Sequence, residues 1–145
     1  MRYLVFGLCV LFASALFAAQ EFLEDPESGV RFPLKWRQKI GLTTFRSTIH
    51  YHNGQVIVGS NGKSLSSMKD EFDAVYFLDG ETGAVDSKIG VRMWADMDVN
   101  GVAVSGDSVF FGNDHNQFFR FYKSGYKVWE YVTNSDIENV PAVAD

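Results

Sequence analysis

The stretch Val109-Phe110-Phe111-Gly112-Asn113-Asp114, followed by Phe118-Phe119-Arg120-Phe121-Tyr122-Lys123-Ser124-Gly125-Tyr126-Lys127-Val128-Trp129, decides how this chain folds. Apolar residues crowd both halves, Gly, Ser and Asn punctuate them, and no window outside the N-terminal leader keeps a helical period. An earlier stretch has the same order: Val56-Ile57-Val58-Gly59-Ser60-Asn61-Gly62, then Val75-Tyr76-Phe77-Leu78-Asp79-Gly80-Glu81-Thr82-Gly83-Ala84-Val85. Each reads as the return strand of one hairpin followed by a second hairpin. Working outward, Ser47 to His52 alternate as a strand, and Asn53-Gly54 is a strong short hairpin signal because both positions tolerate positive φ. Gln55 to Gly59 return. Ala74 to Leu78 and Ala84 to Ile89 flank a turn in which the Asp79 carboxylate accepts backbone N–H groups and Gly83 turns left-handed. The second unit repeats this with Val99 to Val104, Ser108 to Gly112, Gln117 to Tyr122 and Tyr126 to Val132.

A unit of roughly forty to fifty residues with four short strands is the pattern of a propeller blade. The expected fold is all-β: blades of four antiparallel strands in an incomplete propeller, preceded by a leader helix. Blade 1 spans about 47–90 and blade 2 about 97–132. Gly59 and Gly112 lie 53 residues apart (112 − 59), whereas Gly83 and Gly125 lie 42 apart (125 − 83). The difference falls in residues 60–72, read as a long exposed loop, where an insertion leaves the strands untouched. Val140-Pro141-Ala142-Val143-Ala144-Asp145 match Gly101-Val102-Ala103-Val104-Ser105-Gly106, so a third unit starts within 137–145 and stops inside its first hairpin. That reads as a fragment or truncated product; the alternative is a complete small sheet protein with an unusual tail. Phe118, Phe119, Phe121 and Tyr122 put apolar side chains on both faces of one strand, which fits a strand covered on either side. Uncovered, one such face would meet water and promote association.

Of the 145 residues 46% are hydrophobic, 15% aromatic and 21% charged, the composition of a folded chain. Arg2, the apolar run Leu4 to Phe17 and the small pair Ala18-Ala19 make residues 1–19 a cleaved secretory signal peptide. The protein is therefore expected to be secreted or periplasmic, with no membrane span after cleavage, since the run is short of the roughly 20 apolar residues a bilayer requires. Cys9, the only cysteine, lies inside the leader and is followed by Val10, which argues against a lipoprotein. The mature chain is disulfide-free, so apolar packing must hold it. Net charge is −5, and −6 once Arg2 is removed (12 − 18). An acidic chain with no basic run is a poor candidate for binding nucleic acid or anionic lipid, and neither is expected as a partner. Residues 20–35, with Pro26, Gly29 and Pro33, read as a polar lead-in, Trp36 to Lys39 as an isolated strand, and 36–145 as the propeller fragment.

VIVGSNG and VYFLDGETGAV in the first unit, Gly-Tyr-Lys-Val-Trp in the second and PAVAD at the end resemble the pyrroloquinoline-quinone-like propeller repeat, also called quinoprotein alcohol dehydrogenase-like. The resemblance covers roughly residues 34–145. It implies a Gly before the last strand of a blade and a Trp four residues later; Gly125 and Trp129 keep that spacing, and Trp36 would be the equivalent residue of an earlier or closing blade. Gly59 and Gly112 mark corresponding strands. The first unit keeps Asp79, Thr82 and Gly83 but has Ser87 where Trp is expected; the second keeps Trp129 but has Phe121 where Asp is expected. The family implies two activities. Some members oxidise alcohols or sugars with a quinone cofactor and calcium, and others are cofactor-free extracytoplasmic scaffolds, among them a lipoprotein that assists outer-membrane barrel assembly. The adjacent cysteines that form a ring over the cofactor in some of the enzymes are absent from the mature chain.

No convergent catalytic set stands out. His50 and His52 share a strand face and could begin a metal site with His115, but without a well-spaced carboxylate they read as channel-lining or edge residues. Asn113, Asp114 and Asn116 carry oxygens suited to calcium, against a hairpin turn bonded to its own backbone. Trp36, Trp94 and Trp129 could stack on a ligand but read as inter-blade packing. The leading functional reading is a non-catalytic scaffold binding a protein or peptide partner, or the missing blades of a longer parent, with no cofactor. The alternatives are a fragment of a quinone- and calcium-dependent dehydrogenase and a small β-protein that self-associates into homo-oligomers.

Overall fold

The computed structural model describes residues 21–43, 46–63, 70–90 and 98–144. The leader with Cys9, residues 64–69 of the segment read as a loop, Trp94 and Asp145 lie outside the described residues. The chain divides into two compact units, residues 1–34 and 35–145, and the described residues carry strands but no helix.

In the first unit, the stretch read as a lead-in holds a hairpin. β1 (Phe22–Glu24) pairs antiparallel with β2 (Arg31–Pro33). The polar turn between them closes on Asp25, whose carboxylate accepts the Glu27 N–H at 3.0 Å and the Ser28 hydroxyl at 2.5 Å. Those bonds, the Ser28 hydroxyl foremost, hold the Asp25 carboxyl below its ordinary value. Pro26 falls in the turn, where its missing N–H costs no ladder bond. Turn residues alone do not distinguish such a hairpin from a linker.

The second unit holds two four-stranded antiparallel sheets, each in sequential order. The first comprises β3 (Ile49–His52), β4 (Gln55–Ser60), β5 (Ala74–Asp79) and β6 (Val85–Ile89). The second comprises β7 (Val102–Ser105), β8 (Ser108–Gly112), β9 (Gln117–Tyr122) and β10 (Lys127–Val132). This is the meander topology of propeller blades. Trp36 to Lys39, expected as an isolated strand, lie in no strand. They belong instead to an extended strap that lays Trp36 and Ile40 on the first sheet. Residues 60–63 are not uniformly exposed as the loop reading had it. Ser60 and Asn61 are buried, because the backbone there bonds to the strap: Asn61 N–H donates to the Leu42 carbonyl at 2.9 Å, and Leu42 N–H to the Gly62 carbonyl at 2.8 Å.

Alternation along the strands gives each sheet a backward and a forward face. The first sheet's backward face, Val58, Ala74, Tyr76 and Leu78, packs under Trp36, Ile40 and Val56. Its forward face, Ile57, Val75, Phe77 and Ile89, meets the backward face of the second sheet, Val102, Val109, Phe111, Phe119 and Phe121. This shared layer is the core, with Phe111, Phe119 and Phe121 rings 5.3 to 5.8 Å apart. Fully burying a side chain of this size stabilises by about 1.5–3 kcal/mol.

Two glycines set the spacing of successive layers. A side chain at Gly59 would meet the Val99 carbonyl oxygen at 2.5 Å, and one at Gly112 would run into Ile137. Beside them Val99 N–H donates to the Ser60 carbonyl at 3.2 Å, and Ile137 N–H to the Asn113 carbonyl at 3.1 Å. Ile137 thus sits on the second sheet as Val99 sits on the first. Residues 137–144, where a third unit was expected to open, form no strand. The match drawn between Val140–Asp145 and Gly101–Gly106 also shifts by one, since Val99 and Ile137 are 38 apart (137 − 99) and that offset pairs Val102 with Val140.

Candidate functional site

Among the described residues, no second layer comparable to the one covering the first sheet lies on the forward face of the second. β8, β9 and β10 place Phe110, Phe118, Arg120, Trp129 and Tyr131 there, by the pairings Phe110↔Arg120, Arg120↔Trp129 and Phe118↔Tyr131. Trp129 is 37% and Tyr131 65% exposed, whereas Phe119, on the other face of the same strands, is 0%. The rings hold one another: Trp129 lies 5.5 Å from Phe118 and 6.2 Å from Phe110, both tilted. Ile137, Val140 and Pro141 border the lattice, and together with Phe118 and Tyr131 they line a shallow depression of about 370 Å³.

One cation stands in this frame. The Arg120 guanidinium carbon is 5.7 Å from the Phe110 ring and 5.8 Å from the Tyr122 ring, and Nε donates to the Ser108 hydroxyl at 3.1 Å. No carboxylate reaches it among the described residues. On the opposite side of the same strands Glu130 accepts from Gln117 and Lys127, each at 2.7 Å. The lysine bond is the main reason its carboxyl lies below the ordinary value. The ion pair therefore lies on one face and the lone guanidinium on the other. Chemically, the forward face offers stacking area and a charged donor.

The residues singled out from sequence are dispersed. His50 Nε2 lies 2.6 Å from the Val102 carbonyl oxygen. A carbonyl only accepts, so that nitrogen carries the proton and bridges the two sheets. His52 shares the strand face of His50, and His115 lies exposed beyond β8. Among the described residues no three His, Cys, Asp or Glu side chains converge as a metal site. Asn113 closes its own turn, its side-chain oxygen accepting the His115 and Gln117 N–H groups, each at 3.0 Å. Asp114 accepts from Asn100 Nδ2 at 2.7 Å, and Asn100 Oδ1 accepts from Asn61 Nδ2 at 2.7 Å. This buried relay joins the ends of β4 and β8 through the 98–101 segment, and composition alone gave no sign of it.

The repeat residues occupy turns and layer contacts. Asp79 Oδ1 accepts the Thr82 N–H and hydroxyl, each at 2.7 Å, and the Glu81 N–H at 3.1 Å. Gly83, at φ 73°, leaves room for the Trp36 ring, whose Nε1 donates to the Gly80 carbonyl at 3.0 Å. Gly125, at φ 87°, makes the corresponding turn of the second sheet with open space around it. That turn has no carboxylate clasp, and its Lys123 N–H donates instead to the Asp107 carbonyl at 2.9 Å. Sequence reasoning passed over Arg120; the signal was one cation in an otherwise aromatic strand, at the alternate position shared with Phe118 and Tyr122.

No family model matches the chain, and no curated protein is similar to it.

Proposed function

We propose that this chain is a secreted or periplasmic, non-catalytic scaffold of the pyrroloquinoline-quinone-like repeat type, and that it binds a protein or peptide partner. The observation that carries the reading is the aromatic forward face of the second sheet, which repeats positions that in the first sheet form an interior contact. Exposed apolar area of this kind, held in a fixed lattice on strands, is characteristic of interaction surfaces. Trp, Tyr and Arg are also the residue types that dominate binding hot spots. The leader, the apolar strands and the absence of cysteine after it support an extracytoplasmic protein held by packing. A photo-crosslinking residue placed at Trp129, with Tyr51 on the far edge strand as control, tests the reading in the producing cell. A discrete protein adduct at position 129 and not at 51 is expected. Equal labelling at both positions, or none at 129, overturns it.

A further inference from the structure

We propose that the forward face of the second sheet receives an apolar polypeptide segment that places a carboxylate against Arg120. The inference rests on the scaffold reading and names the chemistry of its partner. The ladder registers superpose the two sheets residue by residue: Ile57 corresponds to Phe110, Gly59 to Gly112, and Val75 to Phe118, since each pair holds the same place beside its glycine. Phe77, opposite Ile57, then corresponds to Arg120, opposite Phe110. In the first sheet this position is 1% exposed, sealed beneath an apolar neighbour. In the second it is a guanidinium held between two rings and bonded to one hydroxyl.

That one change decides what the face accepts. The backward faces this chain could offer from a second copy carry Val58 and Leu78, or Val109, Phe111 and Phe119; Glu130, which shares the second of these faces at its outer strand, is already engaged by Lys127 and Gln117. Docking such a surface would bury Arg120 without a counter-charge, which is unfavourable even when the apolar area gained is large. A segment with apolar residues flanking one carboxylate gains the aromatic contact and a charge-assisted, bidentate pair together. The seat of Ile137 on Gly112 shows that the face already holds an aliphatic side chain at its border. Strand addition at the β10 edge is less favoured. Its register slips between Lys127 and Trp129, and the Lys127–Glu130 pair at 2.7 Å lies along it, both features that blunt edges.

The test uses the full mature chain and three peptides of sequence acetyl-Thr-Val-Thr-X-Thr-Val-Thr-amide, with Glu, Gln or Lys at X. In an extended peptide the two Val and X share one face. NMR titration followed at the Trp129 indole N–H is expected to give at least tenfold tighter binding for Glu than for Gln, and none for Lys. Arg120→Gln should erase the Glu–Gln difference, and Trp129→Ala, followed at the Tyr131 amide because its indole is gone, should weaken both peptides alike; an unchanged amide spectrum elsewhere verifies that each variant folds. Equal affinity for Glu and Gln in the parent chain overturns the carboxylate while leaving the scaffold reading standing. Binding of no peptide, with no shift at Trp129, overturns both. Concentration-dependent dimerisation that Arg120→Gln strengthens would assign the face to a second copy and overturn the proposal.

Discussion

In the first sheet Ile57 and Phe77 lie sealed under a neighbouring sheet, while in the second the same register positions hold Phe110 and Arg120 and are only half-buried. The strand order, the glycine at the layer contact and the slip in the outermost ladder are common to both. What differs is the cover. A shared grammar of strands therefore does not impose a shared environment, and the residue types record which environment each face meets. Aliphatic Val75 and Ile89 of the covered face become Phe118 and Tyr131 on the open one, and an arginine takes the middle.

Substitutions should separate the two faces sharply. Phe77→Ala and Phe119→Ala, each emptying the shared layer, should lower stability by about 3–5 kcal/mol in urea titration. Trp129→Ala and Tyr131→Ala, on the open face, should each cost less than about 1 kcal/mol. Losses of equal size on the two faces would break the comparison.

The layer contacts allow a finer distinction. Gly59→Ala pushes a methyl group into the Val99 carbonyl, a backbone atom that cannot turn away, and should cost about 1–3 kcal/mol. Gly112→Ala runs a methyl group into Ile137 Cγ2 and Cβ, closer than any contact at Gly59 and on a branched side chain fixed at its Cβ, so its loss should be at least as large in the same titration. Severing the relay with Asn100→Ala leaves the buried Asn61 amide without its acceptor and takes one donor from the half-buried Asp114, and should cost about 1–3 kcal/mol.

The smallest effect concerns the two outer turns. The Thr82 hydroxyl and N–H, followed by the Glu81 N–H, hold the Asp79 carboxyl below its ordinary value of 3.8. A carboxyl lowered in the folded state adds stability above its unfolded value, and that stability is lost as pH falls through the native one. Asp79→Ala should therefore melt below the parent chain at pH 7, and the gap should narrow once pH drops under about 4. The second sheet's turn has no such carboxylate, so Ser124→Ala should show no comparable pH-dependent gap.

Much of this fold was legible in the sequence. Asn53-Gly54 and Asp79 to Gly83 marked turns because few residues adopt their backbone angles, and short apolar runs between turn residues marked β4, β5, β8 and β9. The strap was not, because Trp36 to Lys39 look like a strand until a sheet face is available to pack on. The β1–β2 hairpin was missed because three-residue strands leave too few positions to show alternation. Of the candidate site, sequence gave the surplus of aromatic residues but not which face would be covered. That depends on the β8–β9 and β9–β10 registers, which bring Phe110, Arg120 and Trp129 together from three strands. The Asn61–Asn100–Asp114 relay was equally invisible, since hydrogen bonds across 39 and 14 residues leave no local pattern.

The contrast between a sealed and an open face is best tested by adding a soluble nitroxide to the isotopically labelled chain and measuring relaxation of its aromatic ring signals. Phe118, Trp129 and Tyr131 should broaden strongly while Phe77, Phe111 and Phe119 remain sharp. Equal protection of the two sets would contradict the account, because the second sheet's forward face would then already be covered.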